Sequence, residues 1–282
     1  MILGNPSQWS EWSSLADPAA TRTLPSTPGL YCVRVIGEEA LAYVGQTSTL
    51  STRVGSLRTL YRGSIPLNDP HTATPCLWVM RLEQGAEFEF SVCEASHDVT
   101  LRKALECVVV SEHRELHGTS PTANFGRMPE GWVKSSGNNA TVRARGGPFP
   151  GYRDPNVHRS LDYPCVIDRD RPPTAAHWGG LPWCEWTSPN LAPSVNGVYR
   201  VRNQDDSLTY IGQGRIRDRL RAHLAKANDP THRQYAGFSR ATEASWVELP
   251  DASPQQLLEI ECDLIASHVL WHGAPPLVQF LG

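Results

Sequence analysis

The chain has 282 residues, a formal net charge of −3, 40% hydrophobic residues and 20% charged residues. This composition is typical of folded globular proteins, and the length suits two domains of about 100–150 residues better than one. No apolar run approaches the ~20 residues of a membrane span, and no secretory signal pattern opens the chain, so we expect a cytoplasmic protein. The charge excludes indiscriminate coating of nucleic acid but allows a local cationic groove. Seven cysteines without a C-x-x-C pair argue against structural zinc and against a disulfide framework.

The first predicted element is an antiparallel hairpin. Its strands are the β-type runs Leu30–Ile36 and Leu41–Gly45, which are separated by a turn-forming Gly-Glu-Glu. Because side chains alternate along a strand, Tyr31 and Tyr43 can lie on one face of this hairpin.

A helix is predicted at about Thr100–Leu116, and it carries a glutamate among apolar residues. Glu106 lies on the same side of this helix as Val109 and Val110. A carboxylate on an apolar face is costly unless it is paired or binds a metal, so either a metal site or a buried ion pair with an arginine is expected.

The amino-acid composition changes over residues 127–178. Gly, Pro, Ser and Arg cluster there without helical or strand periodicity, which predicts a long irregular connection. Several arginines lie along it, including Arg143 and Arg145. We therefore predict a first domain of residues 1–126, a connection of residues 127–178 and a second domain of residues 179–282.

A second hairpin and a basic helix come next. Val198–Arg202 and Leu208–Gly212 flank a polar turn, and they place Tyr199 and Tyr210 on one face. The following segment has one apolar stripe at helical spacing, formed by Ile216, Leu220 and Leu224. A neighbouring face of the same helix carries Arg215, Arg219, His223 and Lys226. We expect the apolar side to face the core and the basic side to stay open.

The last predicted helix is Pro254–Leu270. Its apolar arc is formed by Leu257, Leu258, Leu264, Ile265 and Val269. Glu261 projects inside this arc, whereas Glu259 and Asp263 are expected to point towards solvent. A buried ion pair with an arginine is again the alternative to a site at Glu261.

The elements form two copies of one pattern. W-S-E-W recurs as W-C-E-W, P-G-L-Y as N-G-V-Y, A-Y-V-G-Q as T-Y-I-G-Q, and the two late helices align without a gap. Asn124 follows Glu106 by 18 residues, as Gln279 follows Glu261. Such an ordered series indicates an internal duplication.

The set Gly-x-Tyr, Tyr-x-Gly, helical Arg, helical Glu and late Asn resembles the GIY-YIG nuclease superfamily over residues 28–125 and 196–281. The resemblance implies an α+β fold of two domains, each a three-stranded antiparallel sheet flanked by helices. It also implies a DNA endonuclease with Mg²⁺ (or Mn²⁺) held mainly by a glutamate, Glu106 or Glu261.

Carried over by position, the resemblance implies a first site of Tyr31, Tyr43, Arg53, Glu106 and Asn124. It implies a second site of Tyr199, Tyr210, Arg219, His223 and Glu261. Further candidate members are His71, His232 and Gln279. The sequence departs from the family twice, since Leu57 stands where the second copy has His223, and Gln279 stands where Asn is expected.

Three functions remain open at this level. Both copies could cut double-stranded DNA as a fused pseudo-dimer or as a homo-oligomer; one copy could cut while the other binds DNA or supports the fold; or the fold could bind DNA without catalysis. The predicted phosphate contacts are Arg58, Arg143, Arg145, Arg215, Arg217, Arg221 and Lys226. The connection at 127–178 could be a solvated linker or a strap that contacts DNA.

Overall fold

A computed structural model describes residues 9–61, 72–134, 151–167, 183–186 and 192–281. Within these residues the fold is mixed α and β, with two four-stranded antiparallel sheets, one further strand pair and seven helices. The chain divides into a first unit, Met1–Arg102 with Thr119–Leu161, and a second unit, Lys103–Gly118 with Asp162–Gly282. None of the helices in the described ranges has the length and apolar character needed to cross a membrane.

The first unit contains one four-stranded sheet with the strand order β1-β4-β2-β3. Its strands are β1 (Ser13–Ser14), β2 (Gly29–Val35), β3 (Leu41–Thr47) and β4 (Phe88–Glu94). Its helices are α1 (Pro18–Arg22), α2 (Leu50–Leu57) and α3 (Thr74–Gln84), with 3₁₀ turns at Arg58–Tyr61 and Asn124–Gly126.

The second unit repeats this order in its own sheet, as β7-β10-β8-β9. Its strands are β7 (Cys184–Glu185), β8 (Asn196–Asn203), β9 (Leu208–Arg215) and β10 (Ala241–Glu248). Its helices are α5 (Ile216–Ala227), α6 (Tyr235–Phe238) and α7 (Pro254–His272). Helix α4 (Val99–His117) begins in the first unit and continues into the second.

Each sheet therefore has one strand more than the three that the family resemblance implied. The additional strand has two residues and lies at the sheet edge, in or just after the W-x-E-W segment. Two residues are too few to show strand periodicity in a sequence, which is why this pairing was not expected.

The predicted hairpins are confirmed. β2 pairs with β3, and β8 pairs with β9, both antiparallel and each with one register shift near the turn. The predicted helices at Thr100–Leu116 and Pro254–Leu270 are confirmed with ends that move by one or two residues. Helix α7 begins with a capping box between Ser253 and Gln256 and ends at Gly273 in the left-handed region.

In each unit the face of the sheet that carries the tyrosines is a buried face. The first core joins Tyr31 and Val33 of β2 to Val54 of α2 and Leu77 of α3. In the second unit the equivalent core joins Tyr199 and Val201 of β8 to Ile216 and Leu220 of α5, with Phe238 of α6.

The expectation that Glu259 and Asp263 face solvent is wrong. Both are fully buried, and both pair with Arg114 of α4, at 3.0 Å for Glu259 Oε1 and 3.1 Å for Asp263 Oδ1. Ser111 Oγ donates a further hydrogen bond to Asp263 at 2.7 Å. The buried ion pair that the sequence offered as an alternative for Glu261 is therefore formed by Glu259 and Asp263 instead. The cation comes from α4, so the apolar pattern of α7 alone could not predict it.

These contacts place Lys103–Gly118 in the second unit, although this segment lies within the predicted first domain, 1–126. The predicted connection also contains ordered structure. β5 (Trp132–Lys134) pairs with β6 (Gly151–Arg153) in the first unit. In the second unit the backbone N–H groups of Tyr163 and Val166 donate to Glu259 and Asp263, at 2.9 and 3.2 Å.

Candidate active site

The second-unit tyrosines are held by a glycine on the facing strand. Tyr199 on β8 lies opposite Gly212 on β9, and the ring centroids of Tyr199 and Tyr210 are 6.2 Å apart. A Cβ atom on Gly212 would collide with the Tyr199 hydroxyl group and the Tyr210 ring. The glycine of the Y-x-G motif thus makes room for the phenol that crosses it.

The first unit has the same arrangement. Tyr31 on β2 lies opposite Gly45 on β3, and its ring centroid is 5.9 Å from that of Tyr43. A Cβ atom on Gly45 would again meet both tyrosines. The prediction that each pair of tyrosines shares a face is confirmed.

His223 of α5 is bonded to one of these phenols. Its Nε2 lies 2.8 Å from the Tyr199 hydroxyl group, and its ring stacks on Phe238 with centroids 4.5 Å apart. Burial, reinforced by Lys226 and Arg219, lowers the pKa of His223 to about 3. The imidazole is therefore neutral at neutral pH, and within the described part of the chain its buried Nδ1 has no hydrogen-bond partner.

Both phenols of the second unit are protonated at neutral pH. Burial is the largest cause that raises the pKa of Tyr199 well above its ordinary value, and it raises the pKa of Tyr210 to about 12. The carboxylate of Glu261 adds to both shifts, and Arg219 opposes them. Each phenol can donate a hydrogen bond, and neither supplies a phenolate unaided.

Glu261 of α7 lies near the two tyrosines of the second unit, since its charge contributes to both of their pKa shifts. Burial raises the pKa of its carboxyl group to about 7, although Arg219 partly offsets the shift and the side chain keeps some exposure to solvent. Glu261 makes no hydrogen bond and no ion pair to another described residue. The second unit thus brings together the five residues predicted for the second site, with Arg219 electrostatically coupled to the other four.

The residues predicted for the first site are divided between the units. Tyr31, Tyr43 and Arg53 lie in the first unit, where Arg53 Nε donates to the Tyr31 hydroxyl group at 3.4 Å. Glu106 is half-buried on the part of α4 that belongs to the second unit. Leu57, which aligns with His223, is fully buried in the first core. A complete first site stays a prediction.

Asn124 and Gln279 have the same structural task. The amide of Asn124 bonds to the N–H and C=O groups of Val44, at 2.9 and 3.0 Å. Gln279 does the same with Ile211, at 3.0 Å in both bonds. Each amide therefore satisfies the backbone of the edge strand immediately after the second tyrosine, so it positions that tyrosine.

The predicted phosphate contacts on and beside α5 differ in exposure. Arg215, Arg219 and Arg221 are exposed, and Arg215 also donates to Ser194 Oγ at 3.1 Å and pairs with Asp218 at 3.6 Å. Arg217 donates to the Ala192 carbonyl group at 2.7 Å, and Lys226 donates to Gln234 Oε1 at 2.7 Å.

The remaining predicted members differ in their relation to the site. Arg58 is half-buried and donates to the carbonyl groups of Leu15 and Ala16. His232 Nδ1 accepts from the Gln234 backbone N–H at 3.1 Å, and His232 is one of the groups that lower the pKa of His223, so it lies near that residue. His71, Arg143 and Arg145 lie outside the described residues.

Phe238 was missed at the sequence level, although it forms one wall of the His223 site. It stacks between His223 and Trp186, whose ring centroid is 5.8 Å away at an interplanar angle of 7°. Phe238 belongs to a four-residue helix, α6. Four residues are too short for helical periodicity, so no local pattern could have identified it.

The described residues contain no group of three or more His, Cys, Asp or Glu side chains placed to hold a metal ion. Comparison with protein-family models and with curated proteins returned no match.

Proposed function

We propose that this chain is a metal-dependent endonuclease that hydrolyses DNA phosphodiester bonds, with its more complete site in the second unit. The observation that carries the proposal is Glu261, a carboxyl group with a pKa near 7 that makes no ion pair to a described residue. It lies beside an exposed arginine, Arg219, and two protonated phenols. The resemblance of both copies to the GIY-YIG pattern supports this reading.

The residues fit Mg²⁺ or Mn²⁺. Mg²⁺ is commonly bound by one or two carboxylates, with waters and substrate phosphate completing its coordination. Glu261 would hold it, because a nearby cation favours the ionised form that burial disfavours. When bound, the ion would supply positive charge that stabilises the negative charge developing on the phosphate and its leaving oxygen.

The remaining groups have separate tasks in this proposal. Arg219 offers a planar guanidinium to the phosphate as negative charge develops. Tyr210 donates a hydrogen bond that orients the attacking water. Tyr199 would take the water proton while His223 Nε2, 2.8 Å away, accepts the phenol proton. A bound phosphate would offset the charges of Lys226 and Arg219 that help to lower the pKa of His223.

The proposal is tested by cleavage of supercoiled plasmid DNA with Mg²⁺. Glu261→Gln keeps the size of the side chain and removes its charge, and we expect at least a ~10²-fold loss of cutting by the second site. Glu248→Gln, an exposed position on β10, is the matched control and should leave cutting unchanged. Full activity of Glu261→Gln would refute the assignment of this carboxylate.

Glu106→Gln decides between two cutting sites and one. If both copies cut, each single variant leaves nicking and loses double-strand breaks. If the first copy only binds DNA or supports the fold, Glu261→Gln abolishes all cleavage. The buried Leu57 at the position of His223 is the observation that favours the second outcome. Retained DNA binding without any cleavage by the unmodified chain would instead indicate a non-catalytic DNA-binding protein.

A further inference from the structure

Two histidines one helical turn apart lie at the C-terminal end of α7. The rings of His268 and His272 have centroids 4.5 Å apart and an interplanar angle of 38°. His113 and His117, their equivalents on α4, show the same 4.5 Å separation and an angle of 37°. Histidines at i and i+4 lie on one helix face and are a known way to hold one metal ion.

A hydrogen bond at one ring nitrogen fixes the orientation and the tautomer of the buried His268. Its Nδ1 lies 2.9 Å from the Ala274 carbonyl oxygen, which can only accept, so Nδ1 carries the proton. Nε2 therefore presents its lone pair, and a backbone carbonyl on the other ring nitrogen is typical of metal-binding histidines.

The second ligand nitrogen belongs to His272, whose ring is exposed to solvent. It is exposed and makes no hydrogen bond to any described residue, so it can rotate towards a ligand without losing a bond. Trp271, 43% exposed, lies next to it in the chain. His268 is seven residues after Glu261, about 10 Å along the helix axis, so this pair is separate from the candidate active site.

The type of ligand indicates which metals fit. Imidazole nitrogens suit Cu²⁺, Ni²⁺ and Zn²⁺, and the affinity of such a site for divalent metals rises from Ni²⁺ to Cu²⁺ and falls again at Zn²⁺.

We propose that His268 Nε2 and His272 form a binding site for a divalent transition metal, of the Cu²⁺ or Ni²⁺ type. The site has two protein ligands, and solvent or another small ligand completes the coordination. The site stands independently of the nuclease proposal.

The test is titration of the full chain with Cu²⁺, followed by calorimetry and by electron paramagnetic resonance. It is carried out in a His117→Ala background, which removes the equivalent pair on α4. We expect one equivalent of Cu²⁺ with hyperfine coupling to two imidazole nitrogens, and at least ~10-fold weaker binding after His272→Ala. His272 is exposed, so this variant tests the site without disturbing the core.

A matched control keeps the result specific. His97→Ala, another exposed histidine, should leave the Cu²⁺ affinity and spectrum unchanged. The readout is Cu²⁺ binding without DNA rather than cleavage, so failure of the nuclease proposal and failure of this one are distinguishable. Equal affinity and an unchanged spectrum in His272→Ala would overturn the proposal, as would the absence of Cu²⁺ binding in the His117→Ala background.

Discussion

The two copies hold their first tyrosine in the same place but offer it different partners. In the first unit the Tyr31 hydroxyl group accepts from Arg53, whereas in the second the Tyr199 hydroxyl group is bonded to His223. The strand register and a facing glycine set the position of the phenol, and both are the same in the two units. The partner depends on the helical position that is Leu57 in the first copy and His223 in the second. The two copies can therefore have the same backbone arrangement and differ in chemistry.

Helices α4 and α7 differ in a complementary way. Arg114 of α4 aligns with Val269 of α7, and Asp263 of α7 aligns with Val108 of α4. One helix therefore supplies the buried cation and the other the buried anions, which two identical helices could not do. The duplication has become an asymmetric pair whose members depend on each other.

The largest expected effect comes from making the second site like the first. His223→Leu should lower cleavage by the second site by ~10²–10⁴, because the phenol of Tyr199 loses its proton acceptor. The substitution removes a buried Nδ1 without a partner in the described residues, but it also takes away the acceptor of the buried Tyr199 hydroxyl group. Stability should therefore fall by at most about 1–3 kcal/mol. The measurement is single-turnover nicking in a Glu106→Gln background.

The reciprocal variant, Leu57→His, gives the first copy the histidine of the second. It should not create activity, because Arg53 already bonds to the Tyr31 hydroxyl group and the site is fully buried. Unchanged nicking by His223→Leu would show that the imidazole takes no part in proton transfer.

Removing the buried cation of α4 should cost about 3–5 kcal/mol of stability. Arg114→Met leaves Glu259 and Asp263 buried without their guanidinium partner. Arg81→Met, which removes a half-exposed pair with Glu87, should cost less than about 1 kcal/mol. Urea unfolding of both variants provides the comparison, and equal losses would mean that the buried cluster contributes no more than a surface pair.

The side-chain amides of Asn124 and Gln279 should contribute similarly to stability, although the two side chains differ in length. Asn124→Ala and Gln279→Ala each remove two hydrogen bonds to an edge strand, so each should cost about 1–3 kcal/mol. Gln279→Asn should also lower stability, because an Asn at this backbone position is one methylene too short to keep both bonds to Ile211. If Gln279→Asn instead raised cleavage without loss of stability, the amide would have a catalytic task rather than a positioning one.

The last expected effect is a pH dependence from two groups of the second unit, Glu261 and His223. The pKa of Glu261 is raised to about 7, so the folded state holds this proton at pH values where the unfolded state has released it. The stability from this group is full below its ordinary pKa and is lost as pH rises through about 7. His223 has the opposite sign: its pKa of about 3 makes stability rise with pH up to its ordinary value of 6.5.

The contribution of Glu261 is isolated by comparing the unmodified chain with Glu261→Gln. Without divalent metal, the melting temperature of the unmodified chain should fall relative to that of the variant between about pH 5 and 8. Apparent Mg²⁺ affinity should weaken by up to ~10-fold per pH unit below 7, because the metal competes with the proton. Parallel pH profiles for the two proteins would contradict the assignment.

Much of the frame could be predicted from the sequence, because it depends on local patterns. Strand alternation placed each pair of tyrosines on one face, and helical periodicity located α4 and α7 to within two residues. The duplication identified Asn124 and Gln279 as equivalents, and the structure assigns both to backbone hydrogen bonds. The edge strands and α6 were too short to show a period.

By itself, the sequence determined the duplicated order of hairpin, helix and late helix, together with the residues that recur in both copies. Only the tertiary structure decided which charges are buried together. Glu259 and Asp263 were expected to face solvent from the pattern of α7 alone, but Arg114 and the N–H groups of Tyr163 and Val166 enclose them. The burial of a charge depends on partners distant in sequence, whereas a strand or helix is favoured by its neighbours along the chain.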